Sequence, residues 1–216
     1  MPLSLLGVSR SANAWCCDGV HCVVLGELAA AVSSGSPSPT PREHAAQLAV
    51  IHRQSDVLPM RFGVVLPDVV AVRNLLRLRQ ESLLQDLDRL KGGDEIGVRI
   101  ALPQGRLPPA SPTPVGSSSP QSSPAQYLAA RRARYQRQDQ LDSCAQLATE
   151  TCIEAMKGLY RNWRRLAPEP SGTVRLAFLV ERSLSEAFAR RLGLLGAERP
   201  GEHYTLFGPW PPYSFV

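Results

Sequence analysis

The 216-residue chain reads as an α/β (α+β) protein made of two small sheet-and-helix domains, and three observations lead there. Short apolar runs alternate with amphipathic stretches in both halves of the chain. A Pro/Ser-rich segment separates the halves, and a long arginine-rich helical pattern follows it. The expected division is an N-terminal α/β domain over 1–102, a flexible linker over 103–124 and a C-terminal domain over 125–216.

In the first half, residues 3–8 form a short apolar strand, and 20–25 and 28–32 form two more, joined at Gly26-Glu27 by a hairpin or bulge. A Ser/Pro loop over 34–41 then leads into a helix capped by Thr40 with Pro41 at its first position; Ala45, Leu48, Ala49 and His52 share one face. Residues 58–66 are apolar and bounded by turns, which predicts a strand starting at Pro59. Asp68 caps a single long helix with Val69, Val72, Leu76, Leu83, Leu87 and Leu90 on its apolar side, stopped by Gly92-Gly93. Residues 95–102 alternate as a further strand of the same unit. Strands backed by two helices make a ferredoxin-like N-terminal domain the expected arrangement.

Seven prolines (103, 108, 109, 112, 114, 120, 124) and a serine-rich run mark the linker, which carries too little apolar surface to order itself. Beyond it, 125–166 reads as one helix with Leu141, Cys144 or Ala145, Ala148, Cys152, Ala155 and Leu159 along its apolar stripe. Its charges, eight basic and four acidic, supply +4 of the chain's net +5. Residues 173–180 form a strand, Ser183-Leu184-Ser185-Glu186 has the capping-box pattern ahead of a helix, and 204–207 form a last strand. Two strands make a marginal sheet, so this half needs the long helix, the tail or the other domain to complete its core.

An apolar fraction of 44% and a charged fraction of 20% are those of an ordinary globular protein. No stretch approaches the length of a bilayer span, and no basic residue precedes the apolar run at the start, so a cytoplasmic location is expected. The five cysteines are then reduced; Cys144 and Cys152 serve as small hydrophobes on the long helix. Cys16, Cys17, His21 and Cys22 lack a second pair at ligand spacing, so no metal is expected, and no cofactor motif occurs. His21, His44, His52 and His203 are scattered, and no nucleophile elbow or phosphate loop is present, which argues against an enzyme.

Two motifs stand out. The first is the ending Gly208-Pro209-Trp210-Pro211-Pro212-Tyr213-Ser214-Phe215-Val216. Its prolines fix φ and remove donors, so the tail is expected to be extended and stiff. It either packs Trp210, Tyr213 and Phe215 on its own domain or offers them to another protein. The second is Leu58-Pro59-Met60-Arg61-Phe62-Gly63, where Arg61 interrupts an apolar run and either pairs with an acid inside the domain or contributes, with Met60 and Phe62, to a binding surface. Together with Ala177-Phe178-Leu179-Val180, these motifs resemble the GvpF/GvpL family of gas vesicle accessory proteins across most of the chain. The resemblance implies a non-enzymatic role in gas vesicle formation, a two-domain α/β fold and contact with the small hydrophobic major shell protein. The short chain favours the F-type member. Trp15-Cys16-Cys17 and the linker depart from the family pattern.

A protein that covers aggregation-prone shell subunits during assembly needs apolar patches rimmed with charge, and the aromatic tail and the basic helix, with Arg131, Arg132 and Arg134, fit those roles. The expected function is that of an adaptor or chaperone for the major shell protein, with other gas vesicle proteins as further partners. A minor structural component of the shell is the alternative. A pI of 9.2 and the Arg131-Arg132-Ala133-Arg134 cluster raise nucleic acid as a more remote partner, but only 6% of residues are aromatic and the strands lack the stacking pattern of an RNA-binding sheet.

Overall fold

Two antiparallel sheets, each backed by helices, make up the computed structural model, which describes residues 1–11, 15–34, 40–102, 124–167 and 173–216. The expected linker, apart from Pro124, lies outside the described residues. The first sheet contains β1 (Leu3–Arg10), β2 (Val20–Leu25), β3 (Leu28–Ser34) and β4 (Val57–Pro59) in the order β2-β3-β1-β4, and a short β5 (Val65–Leu66) also pairs with β1. The second contains β6 (Gly93–Ala101), β7 (Asn162–Arg165), β8 (Val174–Glu181) and β9 (His203–Trp210) in the order β7-β8-β6-β9. Both sheets therefore have one strand order. In the second, with α4 (Pro124–Ala155) between β6 and β7 and α5 (Ser185–Glu198) between β8 and β9, it is the full βαββαβ arrangement of a ferredoxin-like fold. In the first, α1 (Pro41–Gln54) supplies one crossover, and no helix stands among the described residues between β1 and β2.

Strand β6 differs from expectation. It alternates as predicted, yet it joins neither β1 nor β4; it pairs with β8 from Gly93↔Glu181 to Ile100↔Val174 and with β9 from Glu95↔Trp210 to Ala101↔His203. Its burial on both faces suits an inner strand. The boundary between the sheets thus falls before Gly93 in the chain, ahead of the Pro/Ser segment.

Local chemistry accounts for most element ends. Thr40 Oγ1 accepts from Glu43 N at 3.3 Å while Glu43 Oε2 accepts from Thr40 N at 2.7 Å, a reciprocal cap with Pro41 in the first turn. The Thr40 N–H and, at 2.9 Å, the Thr40 hydroxyl both donate to the Glu43 carboxylate and hold it below its usual range. Asp68 Oδ1 accepts from Ala71 N at 2.8 Å and starts α2 (Val69–Leu78). The single helix expected beyond Asp68 is two: the chain leaves helical geometry at Arg79 (φ −111°, ψ 15°) before α3 (Gln80–Leu90). No proline or glycine marks that break, and Val72, Leu76, Leu83, Leu87 and Leu90 still reach one core.

The long helix is shorter than its apolar pattern suggested. It stops at Ala155, and Gly158 takes φ +83°, a conformation that turns the chain back into β7. Arg161, Arg164 and Arg165 accordingly leave the helix, and Arg161 pairs with Glu181 at 2.7 Å. Cys144 is exposed rather than on the buried face, which is formed by Ala145, Ala148, Cys152 and Met156. The capping box expected at Ser183 is also absent, because 182–184 form a 3-10 turn and α5 begins at Ser185 with no side-chain cap.

The cores meet through β8. Val174, Leu176, Phe178 and Val180 face α4 and α5, whereas Ala177 and Leu179, on the other face, join Leu5, Leu58, Leu76 and Leu83 of the first half. Cys152 lies fully inside the second core, where burial, aided by Glu202, pushes its thiol up to about 12. Iodoacetamide at pH 8 followed by peptide mapping is expected to alkylate exposed Cys16 and Cys144 within minutes and Cys152 only after denaturation. Alkylation of Cys152 at the same rate as Cys144 in the native protein contradicts this packing.

Candidate partner-binding surfaces

The strand expected over 58–66 forms at its ends and loops out in the middle. Leu58 and Pro59 pair with Val8 and Gly7, Val65 and Leu66 pair with Ser4 and Leu3, and residues 60–64 swing away between them. Two backbone hydrogen bonds tether the loop, Met60 N to Leu6 O at 2.8 Å and Leu5 N to Val64 O at 2.9 Å. Met60 packs against the first core, and its carbonyl lies 3.1 Å from His44 Nε2. Phe62 projects with half its surface exposed, its ring edge-on to His44 at 5.7 Å. Arg61 is exposed and has no acidic partner among the described residues, so the internal ion pair allowed by the sequence is not formed. Val65, Val69 and Val70 are exposed close by in the chain, giving this edge an apolar character.

The tail divides its aromatics. β9 runs on to Trp210 as an edge strand, longer than expected, with a bulge between Glu95 and Gly97. Gly208 has φ +105°, and a Cβ there would stand 2.8 Å from Glu95 O, so this position of the motif requires glycine. Trp210 stacks on Phe207 (centroids 6.2 Å, interplanar 23°), and both, like Tyr213, are partly exposed. Phe215 is different. At 1% exposure it is a core side chain, held in a 3-10 turn over Tyr213–Phe215, and it is not part of any exposed ribbon.

Three side chains fix that turn. The Glu95 carboxylate, itself buried, accepts from Ser214 N at 2.7 Å and Ser214 Oγ at 2.8 Å. Arg89 donates to Phe215 O at 2.8 Å, and the Arg164 guanidinium lies 5.7 Å from the Phe215 ring centroid. Beside it runs a polar seam between the halves. Asp94 Oδ1 meets His52 Nε2 at 2.8 Å and accepts from Arg182 Nε at 3.0 Å, while Arg182 also pairs with Asp56 at 3.0 Å. Pro212 lines a small cleft there with His52, Asp56, Val57, Leu58 and Gly93.

Arg131, Arg132 and Arg134 are exposed on the first half of α4. Arg131 donates to Tyr135 Oη at 3.2 Å. No hydrogen bond or ion pair links these arginines to the 60–63 loop or to the tail among the described residues.

A family model described as gas vesicle synthesis protein GvpL/GvpF matches residues 14–216. The chain belongs to the GvpL/GvpF family. A gas vesicle protein L from Streptomyces sp. (strain CB03234) is 33% identical over 185 residues, covering 81% of this chain and 68% of the relative. The fold matches the crystal structure of GvpF from Anabaena sp. PCC7120 (TM-score 0.75, 16% identity, 99% of this chain and 95% of the other). It also matches GvpF from Microcystis aeruginosa (TM-score 0.72, 14% identity, 99% and 98%). The curated relative is an L-type protein, and the F-type structures match at identities that show the fold alone. The expected leaning to the F-type gains no support from them.

Membership in the GvpL/GvpF family ties the chain to gas vesicles, and no helix among the described residues is long and apolar enough to cross a membrane. Among the described residues, no cluster of His, Cys, Asp and Glu is arranged to hold a metal ion. In this GvpL/GvpF protein the sequence reading missed Asp94, His52 and Arg182 as the groups that join the halves, and Glu95 as the group that holds the turn of the tail. Their one signal was the adjacent acids Asp94-Glu95 at the head of an apolar strand, a position where a carboxylate needs a partner. Phe207 was missed as the stacking partner of Trp210.

Proposed function

We propose that this protein is a non-enzymatic assembly accessory of the cytoplasm that binds the major gas vesicle shell protein as an adaptor or chaperone. The family match over residues 14–216 carries the reading. Exposed Phe62 beside Arg61, and stacked Phe207 and Trp210 with Tyr213, supply the apolar contact area and charged rim that such a partner requires. Anchoring each set to a sheet keeps the aromatics preorganised, which lowers the ordering cost of binding. Other gas vesicle accessory proteins are further partners on this reading.

The test is retention of soluble shell protein by immobilised full-length chain, compared with Phe62→Ser and Trp210→Ser. Wild type is expected to retain it, and Phe62→Ser and Trp210→Ser each to lose about tenfold in affinity with an unchanged melting temperature. Absence of retention by wild type overturns the adaptor reading. Copurification with finished vesicles after washing assigns the chain to the shell as a minor structural component.

A further inference from the structure

Helix α4 continues well beyond the body it packs on. Residues 145, 148, 149, 152 and 156 are buried, but from Tyr127 to Gln140 all described side chains are exposed except half-buried Arg137. The change lies along one stripe. Positions 131, 134, 138, 141, 145, 148 and 152 alternate in steps of three and four and so share a helix face. That face is Leu141, Ala145, Ala148 and Cys152 over the sheet, then Gln138, Arg134 and Arg131 beyond it, bordered by Arg137. The sequence replaces core residues with arginines where the helix leaves the core.

The chain that precedes these arginines carries nothing to balance their charge; the first acids after them are Asp139 and Asp142. From residue 102 to residue 138 there is no aspartate or glutamate, so neither the helix start nor the Pro/Ser segment offers a carboxylate. No ion pair is formed by Arg131, Arg132, Arg134 or Arg137 among the described residues. Arginines three apart repel and weaken the helix that carries them. A complementary partner removes that repulsion, and exposed Tyr127, Leu128 and Tyr135 flank the stripe with apolar surface.

We infer that the free half of α4 is a docking arm for an acidic, amphipathic polypeptide segment, whose carboxylates meet Arg131, Arg134 and Arg137 while its apolar residues cover Tyr127 and Leu128. Guanidinium and carboxylate form bidentate pairs that fix register. The chemistry favours protein over nucleic acid. Exposed Leu128 beside the arginines adds an aliphatic contact that suits an amphipathic polypeptide rather than a phosphate backbone. The arm uses none of the residues of the Phe62 and Trp210 surfaces, so the inference stands whether or not those bind the shell protein.

The test uses full-length protein and a fluorescent helical peptide with Glu at every third or fourth position and Leu between, read by anisotropy at 150 mM salt. A Gln-for-Glu peptide, a single-stranded DNA 20-mer and phosphatidylserine vesicles are run alongside. The Glu peptide is expected to bind at least tenfold tighter than the Gln peptide. The triple variant Arg131→Gln, Arg134→Gln, Arg137→Gln is expected to lose that difference while keeping the wild-type melting temperature. Restored binding of a Lys-for-Glu peptide by the corresponding arginine-to-glutamate variant supports the register. Equal binding of the two peptides by wild type, or no loss in the triple variant, overturns the proposal. So does arginine-dependent binding of DNA or vesicles tighter than that of the Glu peptide.

Discussion

Phe215→Ala is expected to lower the stability of the whole chain by about 3–5 kcal/mol, the cost of emptying a well-packed aromatic site. The ring lies in a 3-10 turn beyond the last strand, outside both sheets. Here it lies in the core with Leu3, Leu58, Leu83, Leu87 and Leu90 of the first half and Ala177 and Leu179 of the second. Glu95, Arg89 and Arg164 hold its turn from three sides, so the site cannot collapse onto the vacancy without losing those bonds. For a chain of this size the loss corresponds to a fall in Tm of roughly 10 °C, read by calorimetry. Tyr213→Ala, in the same turn but partly exposed, is the control and is expected to cost well under half as much. A Phe215→Ala protein that melts within about 2 °C of wild type shows that the tail is not a structural member.

The second large effect is expected at Asp94. Its carboxylate joins His52, from the helix after β3, to Arg182, from the end of β8, and both His52 and Asp94 are over 90% buried as side chains. Asp94→Ala leaves the Arg182 Nε and the His52 Nε2 facing an apolar gap, and removing one member of a buried ionic set costs about 3–5 kcal/mol. The lower end applies, because the Arg182 side chain is 40% exposed and can turn to water or stay with Asp56. Asp94→Asn keeps one acceptor and is expected to recover about half of the loss. The measurement is denaturant unfolding of the three proteins. Coincident midpoints for wild type and Asp94→Ala disprove the seam as a stabilising link.

These two sites show where reading the sequence succeeds and where it stops. Thr40 with Glu43 and Asp68 with Ala71 are contacts within three residues, and composition alone locates such caps. The strands at 3–8 and 173–180 show in their apolar runs because nearly every residue of each is buried or half-buried, and 20–25 shows in its run although His21, Cys22 and Val24 are exposed. Pairing is another matter. Alternation in β6 is the same whether its neighbour is β4 or β8, so periodicity gave the strand without its sheet. Four residues of β7, two of them arginine, could not be told from the end of a helix, and only Gly158 hinted at the stop. The candidate residues fared likewise: the motif around Met60, Arg61 and Phe62 is where the backbone leaves its sheet, but the burial of Phe215 depends on contacts more than a hundred residues apart in the chain.

The place of β6 bears on how the polypeptide is made. As it leaves the ribosome, the strand waits with both edges unpaired until β8 and β9 have been synthesised behind it. An inner strand left open is a template for wrong pairing, so the newborn chain passes through a stage prone to self-association. Formation of the second sheet closes that stage, and Phe215, which follows β9 in the chain, reaches its site in the first core only after the strands of both sheets have been synthesised.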